Sequence, residues 1–117
     1  MSNDVSEKIY YAPELICPHL NLPLHGDKID VFALGVIIFV AMFGEAPFNI
    51  ASPNADPYYR LFCKDRQEFE KFFKVHRTLR RSQFVVDSDL KDLLFSMLQV
   101  DPNQRPTITQ ALNSKWA

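Results

Sequence analysis

Glycine and cysteine are scarce in this sequence of 117 residues, which contains three glycines and two cysteines. Cys17 and Cys63 lie too far apart for a Cys-x-x-Cys metal motif, and two cysteines are too few for a disulfide framework. The default interpretation is a pair of reduced, partly buried thiols in a chain without a metal signature. Gly26, Gly35 and Gly44 are evenly spaced but lie in different sequence contexts, so they indicate no repeat.

A strong charge of either sign is also missing. Thirteen basic and fourteen acidic side chains give a net charge of −1. This balance produces no field that would steer the chain toward nucleic acid or an anionic membrane surface. The first residues, Met-Ser-Asn-Asp, are polar and acidic, unlike the basic and then apolar order of a secretory signal. We therefore expect an intracellular, cytoplasmic protein with neither nucleic acid nor membrane as a partner.

No apolar run is long enough to cross a membrane as a helix. Residues 31–44, VFALGVIIFVAMFG, would form a helix of roughly 21 Å, shorter than the hydrocarbon core of about 30 Å. Asp27 and Asp30 place negative charge at the start of such a helix, and Gly44 suits its end. The β-branched cluster in this run is also compatible with a central strand, although strands usually end after about 4 to 8 residues. The length favours a buried helix over 27–44, which other elements must cover.

Proline positions predict one short helix before the central helix and one after it. Pro13 suits a first helical position, and this helix should end by Cys17 because a proline follows. Residues 19–27 contain proline and glycine and are typical of a loop, as are residues 45–56. An aspartate followed by proline then predicts a helix over 58–64.

Hydrophobic spacing predicts three more helices in the second half of the chain. The first directs an aromatic face inward, at Phe69, Phe72, Phe73 and His76. The second has apolar residues at i, i+3, i+4, i+7 and i+8, namely Leu90, Leu93, Leu94, Met97 and Leu98. The last begins with a capping box at Thr107 and Gln110 and continues toward Trp116. With 47% hydrophobic residues, the predicted fold is all-α, with about six helices around the central buried helix.

Four motifs, in order, resemble the C-terminal lobe of eukaryotic serine/threonine protein kinases. Ala12-Pro13-Glu14 resembles the Ala-Pro-Glu motif that closes the activation segment. The stretch 30–35, DVFALG, is similar to Asp-x-Trp-Ser-x-Gly, and 44–48, GEAPF, is similar to Gly-x-x-Pro-Phe. The stretch 101–107, DPNQRPT, is similar to Asp-Pro-x-x-Arg-Pro-Thr before the last helix. The resemblance covers nearly the whole chain, and a helical scaffold unrelated to kinases is the disfavoured alternative.

The motifs that carry out phosphoryl transfer in kinases do not occur in this sequence. They are a glycine-rich loop, a strand lysine, a His-Arg-Asp loop and an Asp-Phe-Gly that holds Mg²⁺. His76-Arg77 is followed by Thr78 where an aspartate is required, so His76 is interpreted as a helix-end side chain. The resemblance implies a partial kinase domain over 10–117, lacking the N-lobe and the catalytic loop, that is not catalytic alone. ATP and Mg²⁺ are implied only for an intact family member, and residues 1–9 are either a remnant of the activation segment or unrelated sequence.

The resemblance implies structural roles for the matching residues. The glutamate of Ala-Pro-Glu pairs in kinases with the arginine of the later loop, which here joins Glu14 to Arg105. A guanidinium group can hold a carboxylate through two hydrogen bonds, so the pair could persist when buried, whereas the alternative is two solvated surface charges. Asp30 resembles the residue that holds the catalytic loop, although a helix N-terminal carboxylate is sufficient to explain it. Pro13 and Gly35 complete the set of matching positions.

The segment before Ala-Pro-Glu departs from the family pattern. The substrate-facing Gly-Thr-x-x-Tyr pattern becomes Ser-Glu-Lys-Ile-Tyr, so Glu7 replaces the threonine while Ile9 and Tyr10 follow. The family threonine helps tie the activation segment to the catalytic aspartate. Its replacement puts regulated catalysis in doubt even for a longer parent chain.

Two functions follow from the resemblance. The first is the C-terminal portion of a serine/threonine kinase domain, with a protein or peptide as substrate or partner. The second is a non-catalytic interaction module, in which the surface of residues 58–81 docks a partner. The basic group in this region could bind an acidic protein, although a solvated face is the simpler interpretation. In kinases the central helix is also covered by upstream elements, so the missing kinase portion or a second copy of the chain is a further expected partner.

Overall fold

The computed structural model describes residues 9–63, 65–76 and 87–114. Within these ranges the chain forms six α-helices and no strand, so the all-α prediction is confirmed. The helices are α1 (Pro13–Ile16), α2 (Gly26–Phe43), α3 (Pro57–Arg60), α4 (Arg66–Val75), α5 (Ser88–Met97) and α6 (Ile108–Leu112). Two short 3₁₀ helices, Pro18–Leu20 and Pro102–Gln104, lie in the connections. The last helix ends at Leu112, before the described Asn113 and Ser114, so its predicted continuation stops earlier than expected, and Trp116 lies outside the described residues.

The central helix α2 has the start and end that its sequence predicts. Asp27 lies in the first turn, where a carboxylate interacts favourably with the positive end of the helix dipole. Gly44 ends the helix in the left-handed conformation, with φ of 78°, and its N–H donates to the carbonyl oxygen of Val40 at 2.8 Å. A side chain at this position would be strained, which explains why glycine stands here.

Two predicted boundaries are wrong. The helix expected over 58–64 ends at Arg60, because the next amides bond three residues back, including Phe62 N–H to the carbonyl oxygen of Tyr59 at 2.9 Å. Residue 64 lies outside the described ranges. The loop expected over 19–27 contains part of a 3₁₀ helix, which ends where Asn21 adopts a positive φ of 51°. Such i to i+3 turns carry little hydrophobic periodicity, so the sequence did not distinguish them.

An aromatic core joins α2, α3 and α4. Its fully or almost fully buried rings are Phe32, Phe39, Phe48, Tyr59, Phe62, Phe69 and Phe72. The rings of Phe48 and Tyr59 lie 4.7 Å apart between centroids, and those of Phe62 and Phe72 lie 4.8 Å apart, both edge to face. Such pairs add about 0.5 to 1.5 kcal/mol each beyond the burial of their surface. The predicted inward aromatic face of α4 is therefore confirmed.

Close contact between α2 and α5 depends on Gly35. A Cβ atom on this residue would lie 3.0 Å from the Cβ atom of Met97 and 3.0 Å from Cδ2 of Leu98. Only glycine permits this distance without a shift of the neighbouring side chains. A second, smaller cluster lies beside this contact and consists of Val31, Leu93, Met97 and Ala111.

The central helix is covered on one face and open on the other. Val31, Phe32, Val36 and Phe39 are completely buried, whereas Ile37 and Met42 are each 50% exposed. Elements of this chain therefore do not cover the helix on every side, in line with the expectation that part of its cover in kinases comes from upstream elements. Among the described residues, no helix is both long and apolar enough to cross a membrane.

Candidate functional site

The structure joins Glu14 and Arg105, which are 91 positions apart in the sequence. Arg105 Nη1 donates to Glu14 Oε2 at 2.6 Å, and Arg105 Nη2 donates to Glu14 Oε1 at 2.7 Å. Both side chains are 0% exposed. The contact is thus a buried ion pair with two parallel hydrogen bonds, and the alternative of two solvated charges is excluded.

The remaining donors of Arg105 are also used. Nε donates to the carbonyl oxygen of Gln99 at 2.9 Å, Nη1 to that of Lys28 at 3.1 Å, and Nη2 to that of Val100 at 3.2 Å. Together with the two bonds to Glu14, these contacts satisfy all five N–H groups of the guanidinium. The Phe32 ring lies against the cation, with its centroid 5.0 Å from Cζ. Because each of these N–H groups has a hydrogen-bond partner, the charge of Arg105 can be buried without a large energetic penalty.

Short local structures position the two partners. Pro13 occupies the first position of α1, where its missing N–H costs nothing, and Glu14 follows in the same turn. On the other side, Asp101 caps the 3₁₀ helix Pro102–Gln104 by accepting from the N–H of Asn103 at 2.9 Å. The chain then turns so that Arg105 points inward. The arrangement ties the segment before α2 to the loop after α5.

The other predicted site residues have different environments. Asp30 is exposed on α2 and makes no side-chain hydrogen bond with the described residues, so its proposed role stays a prediction. Ile9 packs against the aromatic core, whereas Tyr10 is 36% exposed. Glu7 lies outside the described residues. The structure therefore places Tyr10 on the surface directly before the α1 segment that Glu14 anchors.

Sequence reasoning identified Asp56 only as a helix cap, whereas the structure gives it a larger role. Its Oδ1 accepts from the N–H groups of Tyr58 and Tyr59, at 2.9 and 3.2 Å. Its Oδ2 accepts from those of Asn49 and Ile50, at 2.7 and 3.2 Å. Asp56 is 5% exposed, so one buried carboxylate holds both the start of α3 and the preceding loop. The Asp-Pro pattern signals the cap, but no local signal indicates the two earlier bonds.

His76 ends α4 and is fully buried on the inward aromatic face of that helix, and both features are as predicted. Its Nε2 lies 3.0 Å from the carbonyl oxygen of Ala46, which can only accept, so Nε2 is the donor. The ring also packs against Phe39 and Phe72, with centroids 5.6 and 5.0 Å away. Its place four residues after Phe72 was the sequence signal for this burial.

Two titratable side chains of the core, Cys63 and Tyr59, have pKa values raised by burial. Burial, with a smaller contribution from Cys17, raises the pKa of the Cys63 thiol to about 12. Burial likewise raises the pKa of Tyr59, whose hydroxyl donates to the carbonyl oxygen of Leu98 at 3.0 Å. Because the thiolate and not the thiol is the nucleophile, Cys63 is chemically inert near neutral pH.

The described residues contain no group of three or more His, Cys, Asp or Glu side chains that could hold a metal ion. The glycine-rich loop and strand lysine that hold phosphates in kinases are missing from the sequence itself. The pair of Glu14 and Arg105 links α1 to the loop after α5 through two hydrogen bonds.

Comparisons with known proteins agree with this geometry. The family model described as protein kinase domain matches residues 1–117. Calcium/calmodulin-dependent protein kinase cmkA of Emericella nidulans is 34% identical over 108 residues, which cover 92% of this chain and 22% of that relative. Serine/threonine-protein kinase ssp1 of Schizosaccharomyces pombe is 32% identical over 118 residues, which cover 99% of this chain and 16% of the relative. The chain belongs to the protein kinase domain family.

Solved structures show the same fold. A crystal structure of the Rad53 kinase domain and SCD2 aligns with a TM-score of 0.57 at 24% identity, covering 92% of this chain and 34% of that one. A complex of the same domains with AMPPNP gives 0.56 at 25% identity, covering 92% and 37%. The chain thus spans about a third of the solved kinase chains and about a fifth of the curated relatives above.

Proposed function

We propose that this chain forms the C-terminal helical portion of a serine/threonine protein kinase domain. The family transfers the γ-phosphoryl group of ATP to hydroxyl groups of proteins. The observation that carries the proposal is the buried pair of Glu14 and Arg105, with both hydrogen bonds under 2.8 Å. Relatives described as serine/threonine-protein kinases support the choice of acceptor residue.

In this proposal the ion pair is a positioning device. It fixes the start of α1 against the loop after α5, and this holds the exposed Tyr10 and Tyr11 on the surface of a rigid helical core. The proposed substrate-facing segment comprises Glu7, Ile9 and Tyr10, and the substrate is a protein or peptide. A cytoplasmic location stays a prediction of the sequence.

We further propose that these 117 residues bind neither ATP nor Mg²⁺ on their own. The test is thermal unfolding of the chain with millimolar Mg²⁺-ATP, with adenosine as the phosphate-free control. We expect no saturable rise of the melting temperature. A saturable rise that disappears with adenosine would contradict the proposal. Finding His-Arg-Asp and Asp-Phe-Gly in frame in upstream coding sequence would support an active parent enzyme.

The open face of α2 favours a second candidate, a protein-interaction module. Ile37 is half exposed one turn before the exposed Ala41, and Met42 is half exposed near the end of the helix. Contiguous uncovered apolar surface marks contact sites. The partner is either the missing kinase portion or a second copy of the chain. For the alternative surface of residues 58–81, the described aromatic residues Tyr59, Phe62, Phe69 and Phe72 face the core, and Arg77, Arg80 and Arg81 lie outside the described residues.

Sedimentation and binding of a hydrophobic dye test this candidate. We expect the purified chain to self-associate or to bind the dye strongly. The double variant Ile37→Lys and Met42→Lys should reduce both signals without unfolding, since both side chains are half exposed. A wild-type chain that is a monomer, unfolds sharply and binds no dye would contradict the interaction module and leave the kinase assignment intact.

A further inference from the structure

A cleft of about 220 Å³ lies between α5 and α6, on the side of α5 away from the aromatic core. Its walls include Asp89, Asp92, Leu93, Ser96, Gln110 and Ala111. The α5 members recur at i, i+3, i+4 and i+7, so they form one face of that helix. The cleft therefore lies between two packed helices, and Pro106 and Ser114, which flank α6, complete its walls.

The cleft combines an apolar base with a negatively charged wall. Leu93 and Ala111 are 6% and 5% exposed and provide the apolar part. Asp89 and Asp92 lie on one side, and none of the described residues that line the cleft is basic. Asp92 also bonds to Arg66, whereas the carboxylate of Asp89 has no partner among the described residues. Asp89 thus has no cationic partner among the described residues, although it lies in the first turn of α5 near the positive end of the helix dipole.

The size of the cleft limits what can occupy it. Its volume is below the range of about 300 to 1,000 Å³ that is typical of small-molecule and cofactor sites. A single long side chain is a better match. Among side chains, arginine and lysine carry an apolar stem and a cationic end, and such stems pack along apolar surface while the charge stays near water.

We propose that this cleft binds an arginine side chain from a partner protein. The stem lies against Leu93 and Ala111, and the guanidinium group donates hydrogen bonds to the carboxylates of Asp89 and Asp92. Gln110 and Ser96 add neutral acceptors beside them. Arginine fits better than lysine because its five donors are arranged in a planar fork that can reach several acceptors together. The inference is independent of the kinase assignment.

The test uses the whole 117-residue chain labelled with ¹⁵N and titrated with N-acetyl-arginine methylamide, followed by amide chemical shifts. The corresponding lysine and citrulline compounds are the comparison probes, because citrulline keeps the shape of arginine without its charge. We expect saturable shifts at the amides of Leu93, Ser96 and Ala111, in the order arginine, lysine, citrulline. Absence of saturation, or equal binding of citrulline, would overturn the proposal.

Two variants and one control locate the site. Asp89→Asn should weaken binding about two- to fivefold, the range for removal of one partly exposed charge pair. Ser96→Leu should abolish the shifts by filling the cleft while improving helix propensity. The control is Asp27→Asn, because Asp27 is also the second residue of its helix but lies on α2. Unchanged amide dispersion verifies folding, and equal weakening by the Asp27 and Asp89 variants would overturn the proposal.

Discussion

This chain contains two clusters of oppositely charged side chains, one buried and the other exposed to solvent. Glu14 and Arg105 are 0% exposed, and their partners satisfy every guanidinium N–H group. In the other cluster, Arg66 bonds to Glu70 at 3.1 Å and to Asp92, with side chains 41 to 62% exposed. Lys91 joins this cluster through Glu70 Oε1 at 2.9 Å.

The comparison shows that the number of ion pairs says little about stability. Exposed pairs contribute about 0 to 1 kcal/mol because water already solvates their charges and salt screens them. Breaking a buried pair costs about 3 to 5 kcal/mol, because the remaining charge has neither a partner nor water. The buried pair therefore contributes far more to the stability of the fold than the exposed cluster does.

The largest expected effect is at Arg105. Arg105→Lys should destabilise the chain by about 3 to 5 kcal/mol, nearly as much as Arg105→Ala, because lysine keeps the charge but not the planar fork. Urea unfolding of the three proteins measures the difference. If the unfolding free energies of both variants lie within about 0.5 kcal/mol of the wild type, the pair contributes no more than an exposed one. The contrast between the two clusters would then be wrong.

Variants of Asp56 test whether a buried carboxylate needs a cation, since its partners among the described residues are backbone N–H groups alone. Asp56→Ala should cost roughly 2 to 3 kcal/mol, because four backbone donors, of which that of Tyr59 is buried and the others partly buried, lose a charged acceptor. The matched control is Asp65→Ala, which removes an exposed cap with one bond, to the N–H of Glu68 at 3.0 Å, and should cost about 1 kcal/mol. Equal losses of unfolding free energy in the two variants would show that burial adds nothing here.

A smaller effect is expected at Arg66. Arg66→Gln should lower the free energy of unfolding by about 0 to 1 kcal/mol in urea at low salt. Raising the salt to 1 M shortens the screening length to about 3 Å and should reduce this difference further. A loss of unfolding free energy that exceeds about 2 kcal/mol, or one that salt leaves unchanged, would show that this cluster behaves like the buried pair.

The smallest expected effect is the pH dependence of the exposed cluster. The hydrogen bond from Lys91, together with one from Arg66, holds the pKa of Glu70 below its ordinary value of about 4.3. Its contribution is therefore present above that value and is lost as the pH falls through the lower folded-state pKa. The stability difference between wild type and Glu70→Gln should shrink below about pH 4. A difference that is constant from pH 7 to pH 3 would contradict this assignment.

Local sequence signals were sufficient for much of the fold. The apolar run ending at Gly44, the capping box at Thr107 and the spacing from Leu90 to Leu98 each act within one or two helical turns, and the corresponding helices formed. The order of the kinase-like motifs also identified the pair of Glu14 and Arg105. Helix ends without such signals, as at the short α3, were placed less accurately.

The sequence by itself determined where helices form, because helix periodicity and caps depend on residues that are neighbours in the chain. Its ordered motifs also determined the family to which the chain belongs. Only the tertiary structure decided that Arg105 is fully buried while Arg66 is exposed, that Gly35 allows contact with Leu98, and that Asp56 reaches back to Asn49. The physical reason is that the energy of a charge depends on its solvent and its partners. Packing between distant segments sets both, and the residue type alone does not reveal them.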